Sequence, residues 1–390
     1  MSFKQKDKQY VANTYGRFDL HLVSGKGSLV YDDAGKEYID VATGIAVNTF
    51  GVADEAWKAA VIAQLEQIQH TSNLYYSTPC IRLAEMLCIR TGAKKVFFGN
   101  SGAEANECAI KVARKWAQDT FGEGDYTVIT LKNSFHGRTI TTLAATGQDV
   151  FHKDFNPFPQ GFVYAAANDL SSVEKCFDEN KVCAVMVELV QGEGGVMALD
   201  PAFVKGLETL CRQKNALLIV DEVQTGNGRT GSLYAFQAYG ISPDVVSTAK
   251  GLGGGLPIGA TLLFERVENT LTAGSHGSTF GGNPIAAAGA ISVLERIDEA
   301  LLAGVRMRSE YVFSQLSGAE GIISVSGMGL MIGVELERDV NEVLKDCFAM
   351  GVLPIKAKNK LRLLPALNIP MPLLERAVAV IKAAAKGERI

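Results

Sequence analysis

A series of short apolar runs between residues 95 and 264 most constrains the fold, because these runs do not alternate. "KVFFGN" (95–100), "YTVITL" (126–131), "VCAVMVELV" (182–190), "ALLIVDEV" (216–223), "DVVSTAK" (244–250) and "GATLLF" (259–264) read as strands. A strand with one wet face alternates apolar and polar residues, whereas a strand in a parallel sheet covered on both faces stays apolar throughout. The first run is followed by "AEANECAIKVARKWAQ", with apolar residues at Ala105, Cys108, Ala109, Val112, Ala113 and Trp116. That spacing is helical, and helices between such strands make right-handed crossovers. The middle of the chain is therefore an α/β sandwich.

The last third has a different pattern. "PIAAAGAISVLERIDEALL" reads as one long helix, "GMGLMIGVELE" and "LRLLPAL" as strands, and "LLERAVAVIKAAAKG" as a closing helix stopped by Gly387. This predicts a smaller α+β domain. The expected division is 1–50 as an N-terminal arm or segment of the small domain, 51–275 as the large domain and 276–390 as the small C-terminal domain.

Composition narrows the function. The formal net charge is −4, which disfavours nucleic acid as a partner. No apolar run approaches the length of a membrane span, and "MSFKQKDKQY" carries no apolar signal core. Seven cysteines without a C-x-x-C pair and five histidines without H-E-x-x-H argue against a disulfide framework and a metal site. A reduced, cytoplasmic, metal-free protein is expected.

Ligands of open α/β sheets bind beyond the carboxyl ends of the strands, so the residues just after each run are the ones to weigh. After 95–100 comes "SGAEAN". Ser101 and Glu104 make an S-x-x-E capping box; equally, Gly102 and Ala103 offer N–H groups to an anion such as phosphate at a helix start. After 126–131 comes "NSFHGRT", where Phe135 is a platform for a flat ring, His136 is a structural histidine, and Arg138 is either a solvated charge or a carboxylate fork. Glu188 lies inside an apolar run and is costly there unless paired. Glu193, in "QGEGG", is a turn residue or a carboxylate on flexible backbone. Asp221 ends the 216–221 run as a cap or as a buried partner for a protonated ring nitrogen, and Gln224 follows within reach of a ring oxygen. Lys250 ends "DVVSTAK" as a surface lysine or as an amine desolvated for covalent chemistry.

Taken together, a phosphate site, a ring platform, a carboxylate for a ring nitrogen, an amide for a ring oxygen and a lysine for an aldehyde describe one ligand, pyridoxal 5'-phosphate. The competing G-x-G-x-x-G match, "GNGRTG" (226–231), is a weak dinucleotide fingerprint, since five polar loop residues separate it from its strand.

In their order, "FFGNSGAEANECAIKVAR", "NSFHGRT", "LVQGEGG", "LLIVDEVQTGNGRTG", "DVVSTAKGLGGGLPIGA", "GSTFGGNPIAAA" and "LRLLPAL" resemble the class III pyridoxal-phosphate aminotransferases of fold type I. The resemblance implies a large domain with a mostly parallel seven-stranded sheet and a smaller α+β domain. It implies that Lys250 bonds the cofactor aldehyde, Asp221 pairs with the ring nitrogen, Val223 and Phe135 face the ring, Gln224 meets the ring hydroxyl, and Gly102 and Ala103 hold the phosphate. Thr279 would complete the phosphate site of a neighbouring subunit, making the protein a homodimer. Arg138 would bind the donor's carboxylate and Arg362 the α-carboxylate of 2-oxoglutarate. Glu193 would cover Arg362 while the amino donor is bound. "NTYGR" and "GNGRTG" place the resemblance nearest the branch whose donor is N-acetylornithine; ornithine, succinylornithine, succinyldiaminopimelate and 4-aminobutyrate are the rival donors. Two positions depart from the common pattern, Ala103 where many relatives have Thr and Leu189 where many have Pro.

Overall fold

In the computed structural model, which describes residues 1–124 and 126–388, a seven-stranded sheet forms the centre. Its order is Lys95–Gly99, Gly259–Leu263, Val245–Thr248, Leu217–Asp221, Val182–Val187, Thr127–Leu131, Phe162–Ala165. Only Gly259–Leu263 runs against its neighbours among these strands. Six strands therefore deliver their carboxyl ends to one edge, and the reversed strand begins there. Residues 100–103, 132–138, 188, 221–224 and 250 all follow strand ends on that edge.

The missing alternation has its expected cause. Leu217 and Ile219 pack with Ile110, Val112 and Ala113 of the helix Gly102–Phe121 on one face. Leu218 and Val220 pack with Phe203, Leu207 and Leu210 of the helix Pro201–Gln213 on the other. Every side chain of Leu217–Asp221 is buried, and burying each aliphatic one is worth about 1.5–3 kcal/mol.

A second sheet, in the order Ile322–Met328, Met331–Leu336, Lys360–Leu363, Ile355–Ala357, is antiparallel. The helices Glu299–Leu316, Val340–Ala349 and Met371–Lys386 cover it. Glu37–Asp40 pairs in parallel with Val352–Leu353, and Ile39 and Val41 share the core of this C-terminal unit. A short hairpin, Val190–Gln191 with Met197–Ala198, bridges the two sheets. Val190 and Val196 bury against Met331 and Leu364, which carries the hairpin's turn, and Glu193 with it, toward Arg362 on Lys360–Leu363. No helix among the described residues is long and apolar enough to cross a membrane.

Three local expectations need correction. The run 182–190 is not one strand; it ends at Val187, and Glu188 turns the chain into the hairpin. The residues 284–302 are not one helix: Pro284–Glu295 ends before Asp298, whose carboxylate accepts from Leu301 N–H at 2.8 Å and caps Glu299–Leu316. Phe162–Ala165 forms the sheet edge, a strand absent from the runs above although its Phe, Val and Tyr favour strands; it is only four residues long and three of them are half-buried. Gly387 stops the last helix in a left-handed conformation, φ 82°, as its position predicts.

Candidate active site

A cavity of about 440 Å³ opens at the carboxyl edge of the central sheet. Gly102, Ala103, Phe135, Arg138, Asp221, Val223, Gln224 and Lys250 all line it. Four different strand ends and their loops supply these residues, and the distance between them in sequence is why no single motif displays the site.

Lys250 begins a short 3-10 turn, Lys250–Leu252, with φ at 45°, a value rarely adopted by a long side chain. The surrounding chain holds it there. Asn227 Nδ2 donates to Ala249 O at 3.2 Å, Thr49 Oγ1 to Gly251 O at 2.7 Å, and Trp57 Nε1 to Gly253 O at 2.9 Å. Burial depresses the Lys250 ammonium below its ordinary value, with Asp221 and Glu193 pulling the other way. A lysine so placed is an amine ready to act as nucleophile and base.

Asp221 is buried, and its carboxylate is fully engaged. Oδ2 accepts from Asn106 Nδ2 and pairs with His136 Nδ1, each at 2.8 Å; Oδ1 accepts from Val223 N–H at 3.0 Å. Asn106 is itself fixed by Ser247 Oγ, which donates to its Oδ1 at 2.5 Å. A carboxylate with this many donors is held in place. Sequence reasoning treated His136 as structural and passed over Asn106. The available signal was a polar residue on the buried face of its helix, beside Ala105 and Ala109.

The helix Gly102–Phe121 points its N-terminus into the cavity. Ser101 Oγ accepts from Glu104 N–H at 3.1 Å. Glu104 does not close the reciprocal bond to Ser101 N–H; its carboxylate accepts from Asn100 N–H at 2.7 Å. The first-turn N–H groups of Gly102 and Ala103 have no carbonyl four residues back within the helix and remain as anion donors. Two glycines make this arrangement possible. A Cβ on Gly102 would lie 2.6 Å from Val223 Cγ1, and one on Gly259 would lie 2.2 Å from Ser101 O. Gly259→Ala is therefore expected to displace the helix start, lower stability by about 1–3 kcal/mol and weaken the hold on pyridoxal phosphate. A thermal melt beside a cofactor titration checks both.

Arg362 is buried and donates from Nη1 to Glu193 Oε1 at 2.6 Å and to Gln224 Oε1 at 3.3 Å. Its Nε is buried without a partner. Glu193 keeps 29% of its side-chain surface exposed while Arg362 keeps 3%, so the carboxylate is the member free to leave. Arg138 is exposed; its guanidinium lies 4.3 Å from the Phe151 ring centroid and 5.5 Å from that of Phe135. Thr279 is exposed and does not line the cavity; its neighbour Ser278 accepts from Asn100 Nδ2 at 3.1 Å.

The donor set fits pyridoxal phosphate. It combines open N–H groups at a helix start, a fixed anion, an aromatic and a branched aliphatic lining residue, and a desolvated amine. His136 Nε2, buried with no partner, adds a spare polar atom at the Asp221 end of the cavity.

The family described as Aminotransferase class-III matches residues 10–385. The chain is 50% identical over 380 residues to the acetylornithine aminotransferase of Haemophilus ducreyi, covering 97% of each. It is 46% identical to the succinylornithine transaminase of Citrobacter koseri, covering 89% of this chain and 88% of that protein. Among solved structures it is similar to the ornithine aminotransferase of Toxoplasma gondii, described with pyridoxal phosphate partly occupying its active site. The TM-score is 0.93 at 32% identity, with 98% of this chain and 93% of that chain covered.

Proposed function

The chain belongs to the class III aminotransferases, and from that premise we propose that it moves the terminal amino group of N2-acetyl-L-ornithine to 2-oxoglutarate, giving N-acetyl-L-glutamate 5-semialdehyde and L-glutamate. The observation that carries this reading is the Arg362–Glu193 pair beside the Lys250–Asp221 cavity. One site must accept a donor with an aliphatic chain and then a dicarboxylate. A bare arginine facing the donor's methylenes would be a desolvated, unpaired charge. Glu193 neutralises it during the first half-reaction and leaves it to the keto acid in the second.

Pyridoxal phosphate, when bound, supplies an electron sink for the carbon next to the amine and carries the amino group between substrates. The chain's residues supply the rest. Gly102 and Ala103 hold the phosphate with backbone N–H groups. Asp221 would keep a proton on the ring nitrogen, Phe135 and Val223 would flank the ring, and Gln224 would meet the ring hydroxyl. Lys250 Nζ would hold the cofactor's aldehyde and, once free, would take and return the substrate's proton as general base and acid. Its depressed pKa favours the unprotonated form this role needs. Arg138 holds the donor's carboxylate far from the reacting amine.

The same reading makes the protein a cytoplasmic homodimer of arginine biosynthesis, with Thr279 completing the neighbouring phosphate site. Leu74, Tyr75, Tyr76 and Phe280 support the second copy, being large apolar side chains left 88%, 72%, 96% and 58% exposed. Succinylornithine is the second reading, since the Citrobacter koseri relative bears that name. Steady-state comparison at fixed 2-oxoglutarate separates the donors. N-acetylornithine is expected to exceed ornithine, succinylornithine and 4-aminobutyrate in kcat/KM by about tenfold or more, the scale of one discriminating pocket contact. A higher value for any other amine overturns the donor assignment.

A further inference from the structure

We propose that Glu188 is a positioning residue that ties the Phe135 loop to the turn carrying Glu193, so that the cover over Arg362 is held shut from the cofactor side; this rests on the reading of Glu193 as a removable cover. Glu188 stands where the chain leaves Val182–Val187, buried and lining the cavity. Its two oxygens are divided between two segments. Oε1 accepts from Phe135 N–H at 2.8 Å and Oε2 from Gly192 N–H at 3.1 Å. Gln191 Nε2 donates to Lys132 O at 3.0 Å and links the same two segments a second time.

The turn has no slack on its other side. A Cβ on Gly192 would lie 2.7 Å from the Gln224 amide, and that amide accepts from Arg362. The contacts thus run from Phe135 through Glu188, Gly192 and Gln224 to Arg362, with Glu193 next in chain to Gly192. The pattern explains why a carboxylate occupies this position. Two N–H groups point at it, and a carboxylate accepts from both. A glutamine of the same shape accepts with its oxygen and sets an NH2 against the second N–H. Burial pushes the Glu188 carboxyl above its ordinary value, with His136 opposing the shift and Asp221 adding to it. Among the described residues its hydrogen-bond partners are two backbone N–H groups and no arginine or lysine, so the geometry of the two loops is what the residue serves.

The test uses the full-length, cofactor-loaded protein as wild type, Glu188→Gln, Glu193→Gln and the double variant. Glutarate, a dicarboxylate that cannot react, reports by calorimetry how readily Arg362 is uncovered. Donor and acceptor kcat/KM report the two halves of the reaction. Glu193→Gln is expected to tighten glutarate and impair the donor half alone. Glu188→Gln is expected to do the same by about tenfold, the worth of one hydrogen bond to a charged group. The double variant is expected to match Glu193→Gln, since both act on one cover. Wild-type glutarate affinity in Glu188→Gln, equal losses in both halves, or additive effects in the double variant would overturn the proposal while the cover stands. No change in Glu193→Gln would overturn the cover and the proposal with it. If Glu188→Gln does not fold, Glu188→Asp serves: it keeps both acceptors on a shorter stem, and a folded Glu188→Asp with wild-type glutarate affinity overturns the proposal.

Discussion

Lys250→Ala is expected to lower turnover by about 10⁴-fold or more, the full range ascribed to a positioned acid–base group, while the protein remains folded. The two halves of this expectation come from the same fact. Lys250 Nζ is desolvated, with Asp221 and Glu193 as the main charges opposing that effect. Burying a polar amine costs free energy, so removing it is expected to cost little stability. Thermal midpoints of the wild type and the variant should therefore lie within a few degrees of each other. The turnover loss should appear in both half-reactions, since the same amine serves each. A variant that unfolds would instead mark Lys250 as structural, and one that keeps its turnover would remove it from the chemistry.

Asp221→Asn should lose both activity and stability. The carboxylate receives Asn106 Nδ2 and His136 Nδ1 on one oxygen and Val223 N–H on the other. Asparagine keeps the shape but turns one acceptor into a donor, so at least one buried N–H meets another N–H. Leaving such a group unmet costs about 1–3 kcal/mol, seen as a lower thermal midpoint. On the proposed reading, the charge that would keep the ring nitrogen protonated is lost as well. Losing one preorganised electrostatic partner of the transition state lowers kcat by about 10²–10³-fold. Stopped-flow half-reaction rates beside a melting curve separate the two effects. A variant with normal rates and a lowered midpoint would make Asp221 a structural anchor only.

How much of this was legible depended on whether the deciding partner lay nearby in sequence. The doubly covered strands showed themselves because Leu217–Val220 are apolar on both faces, and Lys250 and Asp221 showed themselves because each closes such a run. Gly387 and the Ser101 cap were readable because a helix end is decided within four residues. The cap at Asp298 was equally local, yet the apolar period of the helix before it continues through the break and hides it. Phe162–Ala165 has strand-forming residues but only four of them, and its place at the sheet edge comes from pairing with Thr127–Leu131. Asn106 and His136 meet Asp221 across 115 and 85 residues, so their part in the site is a product of the fold. Glu188 could be singled out as a carboxylate in an apolar run, but its acceptors' partners, Phe135 and Gly192, become visible only once the loops are in place.

The most direct measurement is a single turnover without acceptor: cofactor-loaded protein mixed with N-acetylornithine, followed by visible absorbance and by assay of the released semialdehyde. The account predicts loss of the cofactor's absorbance band, one semialdehyde released per site, and a faster response at lower concentration than with ornithine, succinylornithine or 4-aminobutyrate. An unchanged spectrum with no semialdehyde from any of the four amines would contradict it.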